Sequence, residues 1–153
     1  MVANWFEVKI KYNKITEEGK EVKVSETHLI DAMSFTEAES RIITSLKEMI
    51  QGDFYIVSIK KSNITELIES DDINDDKYFK AKIAIIDADQ ISGKIKRSNQ
   101  YFLIAGADVD RALEYLKKTL STYVVPTDIV SLGDSNIIDV FHYFNSYDQG
   151  GSI

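Results

Sequence analysis

The chain has 153 residues, 44% of them hydrophobic and 28% charged, with a net charge of −7, one proline and no cysteine. That length can bury a substantial core, and the missing cysteine excludes disulfide staples, thiolate catalysis and cysteine-ligated metal. Met1-Val2-Ala3-Asn4-Trp5 has no basic segment leading into an apolar one, and no apolar run approaches the roughly 18 residues of a membrane span. A soluble, cytoplasmic protein with no membrane partner is expected.

In chain order, Phe6, Val8, Ile10 and Tyr12 alternate with Trp5, Glu7, Lys9 and Lys11, the period of a strand with one dry and one wet face. Polar residues and a glycine from Asn13 to Gly19 break the pattern, and a second strand over 21–31 completes a hairpin. Ser34-Phe35-Thr36-Glu37 spells a capping box, and Ala38, Ile42, Leu46 and Met49 form a helical stripe that Gln51-Gly52 ends. Phe54 to Ile59 reads as a strand. Ser62 to Ile68 is ambiguous alone, and its more β-branched twin at 135–141 tips both toward strand. Then come a strand over 78–86, a turn with Asp89 and Gly93, and a strand over 94–105. A helix capped by Asp108 runs to about Ser121 with Val109, Ala112, Leu113, Leu116 and Leu120 on one face. Pro126 follows it, a strand pair spans 128–143, and 145–153 reads as a flexible tail.

These elements are two copies of one pattern. Ile56-Val57-Ser58-Ile59 with Ser62-Asn63-Ile64 returns 73 positions later as Ile129-Val130-Ser131-Leu132 with Ser135-Asn136-Ile137. Between the copies' hairpin and helix the offset is 74, pairing Gly19 with Gly93 and Ala38 with Ala112. The fold expected is α+β, a tandem duplication of a β-β-α-β-β unit, each antiparallel sheet carrying one helix, with lobes related by a pseudo-two-fold in one compact body. The first lobe is 1–68 and the second 77–144. Between them, 69–76 holds Glu69, Asp71, Asp72, Asp75 and Asp76, five of the 16 acids that face 9 basic residues in 1–76. Such a run reads as a solvated, mobile linker.

No catalytic constellation is visible. His28 and His142 have no neighbours that suggest a metal site, and nucleophile elbows, phosphate loops and metal spacings are absent. Neither an enzyme, a cofactor nor a metal is therefore expected. The first strands carry the best surface clue: Trp5, Lys9 and Lys11 in one lobe and Tyr78, Lys80 and Lys82 in the other, with Lys96 and Arg97 on a neighbouring strand. Aromatics interleaved with cations can stack bases and pair phosphates of single-stranded nucleic acid. Against this stands the plainer reading, in which the rings are buried and the lysines only solvate a strand. Ser62-Asn63 and Ser135-Asn136 either bend the chain through their own backbone or touch a ligand.

The opening Asn-Trp-Phe-Glu-Val-Lys, Ser34–Glu39, and the later Ile-Val-Ser-Leu and Ile-Ile-Asp-Val-Phe resemble a domain family of unknown function found in Bacteroidetes genomes and crAss-like phages. The resemblance implies a phage or mobile-element origin and assigns no activity to any position. The first expectation is a non-catalytic binder of single-stranded nucleic acid. The alternatives are a sponge for a small cyclic nucleotide messenger and an assembly protein that forms a homo-oligomer.

Overall fold

The computed structural model describes residues 4–142. They divide into two compact units, one made of residues 4–62 with 137–142, the other of Asn63–Asn136. In the first, β1 (Asn4–Ile15) pairs with β2 (Glu21–Ala32) and with β3 (Phe54–Lys61), both antiparallel. In the second, β5 (Lys77–Ala88) pairs likewise with β6 (Ile95–Gly106) and β7 (Thr127–Asp134). The duplicated β-β-α-β-β order and the α+β class are as expected.

The fourth strand of each repeat lies elsewhere than expected. β4 (Ile64–Ile68) follows β3 by two residues yet pairs with β6, and β8 (Ile137–Phe141) follows β7 by two residues yet pairs with β2. Both pairings are parallel, so the sheets run β3-β1-β2-β8 and β4-β6-β5-β7 and are not purely antiparallel. The unit boundary accordingly falls after Ser62, where the sequence suggested 68, and residues 137–142 belong with the first unit.

Reach explains the exchange. Lys61 lies opposite Phe6, and Phe6 opposite Ile30, so the vacant place beside β2 is three strand spacings from the end of β3. That is about 14 Å sideways, whereas the three residues from Lys61 to Ile64 span at most about 10 Å. A parallel neighbour needs a long crossover, and a two-residue link cannot supply one.

The repeated motifs mark the irregular points of the sheets. Ser58 pairs with Lys9 and Ile56 with Ile10, leaving Val57 as an extra residue; Val130 is extra in the same way between Ser131 and Ile129. These β-bulges bring Ile56 and Ile59, three apart in sequence, onto the same core-facing side. Thr65 and Ile138 are the extra residues of β4 and β8. Ser62 N donates to Trp5 O at 2.8 Å and Ser135 N to Tyr78 O at 3.1 Å, so each serine pins the chain to its own first strand just before the crossover.

Each helix covers one sheet face. α1 (Phe35–Lys47) buries Ala38, Ile42 and Leu46 against Phe6, Val8, Ile10 and Ile30. α2 (Val109–Leu120) buries Ala112 and Leu116 against Phe79, Ala81, Ile83, Phe102 and Ile104. The caps are as read: Ser34 Oγ accepts from Glu37 N at 3.1 Å and Asp108 Oδ1 from Arg111 N at 2.8 Å. Glu37 reaches back one residue further than a capping box, to Met33 N at 3.1 Å. α1 stops at Lys47 with Glu48 as a right-handed cap, short of the stripe's Met49 and of the expected Gln51-Gly52 stop; Gly52 (φ +94°) instead turns the bend that leads into β3.

The acidic run is not a mobile linker. Asp75 has a fully buried side chain that accepts from Ala107 N at 2.9 Å, Ser70 Oγ at 2.5 Å and Tyr115 Oη at 2.6 Å, with Arg111 3.5 Å away. Arg111 also reaches Asp72 at 3.2 Å and donates to Tyr115 Oη at 2.6 Å. Its acids thus lock the segment after β4 onto α2. In the other unit Arg41 of α1 performs the matching task, donating to His142 O at 2.7 Å just beyond β8 and to Asp31 O. The tail 145–153 lies outside the described residues.

Candidate nucleic-acid interface

Strand pairing decides which side chains share a face, because residues directly opposite project to the same side. In the first unit the helix-free face carries Trp5, Glu7, Lys9 and Lys11 of β1. Beside them stand Lys60, Ser58 and Tyr55 of β3, opposite Glu7, Lys9 and Lys11, and Ser25 and Lys23 of β2, opposite Lys11 and Asn13. Lys23, Lys11, Lys9 and Lys60 therefore form a diagonal stripe across three strands, with Tyr55 next to Lys11.

These groups are accessible. Lys9, Lys11 and Lys23 are exposed, Tyr55 is 66% exposed, and Lys60 has a side chain 72% exposed. Among the described residues Lys9, Lys11 and Lys23 form no ion pair. Glu7 is the acid within the stripe, and it is occupied: it accepts from Ser62 Oγ at 2.7 Å and lies 3.9 Å from Lys60. Further along the face Thr27 and Leu29 are buried, so the accessible area lies toward the hairpin tip. A chain with net charge −7 thus presents a local row of four ammonium groups beside a free phenol ring.

The aromatic anchors of the sequence reading differ from this. Trp5 is half-buried and packs edge-on against the His142 ring, centroids 5.5 Å apart; Tyr78 is half-buried too. Lys80 donates to Asn63 Oδ1 at 2.9 Å with its ammonium 5.2 Å from the centre of the Tyr101 ring, and Lys82 is half-buried. Arg97 is paired with Asp128 at 3.3 Å. Lys96 projects to the opposite face from Arg97, as alternation along β6 requires. Ser62-Asn63 and Ser135-Asn136 sit at the crossovers, and the backbone bonds of their serines give them a structural task. Of the sequence candidates, Lys9 and Lys11 remain in an open site. Tyr55, Lys23 and Lys60 join them, and β-alternation within β1 could not reveal partners supplied by two other strands.

The helix side of the same sheet holds a buried polar cluster. Tyr12 Oη donates to Glu26 Oε1 at 2.6 Å, and this bond to a carboxylate, with burial and the carboxylate charge, pushes the phenol up to about 12. His28, 1% exposed, has Nε2 3.3 Å from Glu26 Oε2 and its ring stacked on Phe141. Burial pulls its pKa below the ordinary histidine value, against the opposing pull of Glu26 and Asp139. His28 occupies the place of Phe102 in the other unit, a core position filled by an imidazole.

Among the described residues no group of three or more acidic or histidine side chains could hold a metal ion, and no helix is long and apolar enough to cross a membrane. The cavities are open clefts: one of about 430 Å³ in the first unit with Lys14 among uncharged side chains, one of about 600 Å³ there with Lys47 between Glu39 and Asp53, and one of about 380 Å³ in the second unit with Lys77, Asp108 and Asp134. No curated protein matches the chain. Residues 4–143 match a family described as a domain of unknown function, and the chain belongs to that family, DUF4494.

Proposed function

We propose that this protein is a non-catalytic binder of single-stranded nucleic acid that works through the helix-free face of its first unit, in a phage or mobile-element setting. The observation that carries this reading is the stripe of Lys23, Lys11, Lys9 and Lys60 with the exposed Tyr55 beside Lys11. Cations that track a backbone, with a ring free to stack an unpaired base, are the parts of a single-strand platform. A duplex keeps its bases stacked inward and would leave Tyr55 unused.

The alternatives have less support. A cyclic-nucleotide sponge needs an enclosed pocket whose polar groups suit an anion, whereas the clefts are open and two of them set two carboxylates against a single lysine. Oligomerisation by sheet extension needs flat edges, whereas β3, β4, β7 and β8 are all edge strands and all carry a bulge.

Fluorescence anisotropy of a labelled twelve-residue oligodeoxythymidylate with the full chain tests the reading. Four neutralised phosphates at about −0.7 each give a slope of log affinity against log salt of roughly −3. Absence of binding at about 50 mM salt rules it out.

A further inference from the structure

The two units carry the same strands in the same register, so the position equivalent to each part of the stripe can be read off directly. Lys11 corresponds to Ala84, which is fully buried, Lys60 to Gly133, and Tyr55 to Asp128. Lys23 corresponds to Arg97, neutralised across the sheet by that same Asp128 at 3.3 Å. Lys9 alone keeps its identity, as the half-buried Lys82. In the second unit two of the four cations are lost, the other two are half-buried or ion-paired, and an acid stands in the place of the ring.

We infer that the chain holds one nucleic-acid site, confined to the first unit and about four nucleotides long. This rests on the single-strand reading above and adds its ligand length and valence. Lys9 and Lys11 are two residues apart along β1, about 7 Å, and the diagonal steps from Lys11 to Lys23 and from Lys9 to Lys60 are about 8 Å. Those steps are about twice the roughly 3.4 Å per nucleotide of stacked DNA, as an extended strand requires. Four ammonium groups in three such steps contact four phosphates. The ligand would cross the sheet from β2 over β1 to β3, with the base beside Lys11 turned onto Tyr55 and the Ser25 and Ser58 hydroxyls flanking the path. Beyond Lys60 and Lys23 the row ends.

Oligodeoxythymidylates of two to twelve residues, titrated calorimetrically into the full chain, test this. Affinity is expected to climb steeply to four or five residues and then flatten, with a five-residue probe binding one per chain. K11Q is expected to weaken binding about tenfold, while K82Q and R97Q leave it unchanged. Affinity that keeps climbing to twelve residues, two five-residue probes per chain, or a loss on K82Q or R97Q equal to that of K11Q overturns the single short site while leaving nucleic-acid binding intact. Failure of every probe to bind removes both. Circular dichroism of each variant confirms that all remain folded.

Discussion

The helix-covered sides of the two units are nearly interchangeable, and their open sides are not. Ile42 and Leu116 stand at equivalent helix positions, both fully buried, and Val8 and Ala81 lie beneath them on β1 and β5. On the other side, Lys11, Lys23 and Tyr55 have Ala84, Arg97 and Asp128 at the equivalent positions of the second unit. The core is held alike because each unit must bury the same stripe of one helix on one sheet. An exposed strand face carries no such packing constraint, so one copy can keep a cationic row while its twin acquires a neutralising acid.

The largest test of this comparison is of its constant half. Ile42→Ala and Leu116→Ala each remove a fully buried aliphatic side chain and should each lower stability by roughly 2–5 kcal/mol, read from urea denaturation. A cost at one position and none at the other would break the equivalence. Next is the variable half: Tyr55→Ala should weaken oligonucleotide binding by roughly 1–3 kcal/mol, with the urea midpoint little changed because the ring is 66% exposed.

Two acid-side tests separate the units by what locks their exchanged strands. Hydrogen bonds from Ser70 and Tyr115, then from Ala107 N, with the Arg111 charge, hold the Asp75 carboxyl below its ordinary value. A depressed carboxyl gives stability that is present above about pH 4 and lost as pH falls through the folded-state value. Asp75→Asn should therefore be less stable at neutral pH and lose less between pH 5 and 2. In the first unit burial depresses the basic His28, so its unfolded form takes up a proton first and stability falls as pH drops below about 6.5. His28→Phe, which installs the second unit's residue, should flatten that part of the profile. Monitoring β8 amide exchange would locate the effect, since the ring stacks on Phe141 of that strand. The smallest effect is expected from Asp128→Ala. Its pair with Arg97 is more than half exposed on both sides, so stability should shift by less than about 1 kcal/mol.

The sequence by itself determined the duplication, the type and order of the elements, both helix caps and the two faces of β1 and β5, because these are written in spacings of a few residues that the backbone periods of 2 and 3.6 translate directly. It also placed Lys9 and Lys11 on a wet face. Only the tertiary structure decided where β4 and β8 go, since that depends on β3 and β2 lying on opposite sides of β1 and on a link too short to pass between them. Asp75 became a buried anchor because Tyr115 and Arg111, some 40 residues on, fold back over it. The site, too, was assembled by pairing: Tyr55 and Lys60 come from β3 and Lys23 from β2, and a bulge at Val57 sets which of their neighbours project beside Lys9 and Lys11. Register between distant strands is fixed by the sheet as a whole, and no local pattern in one strand encodes it.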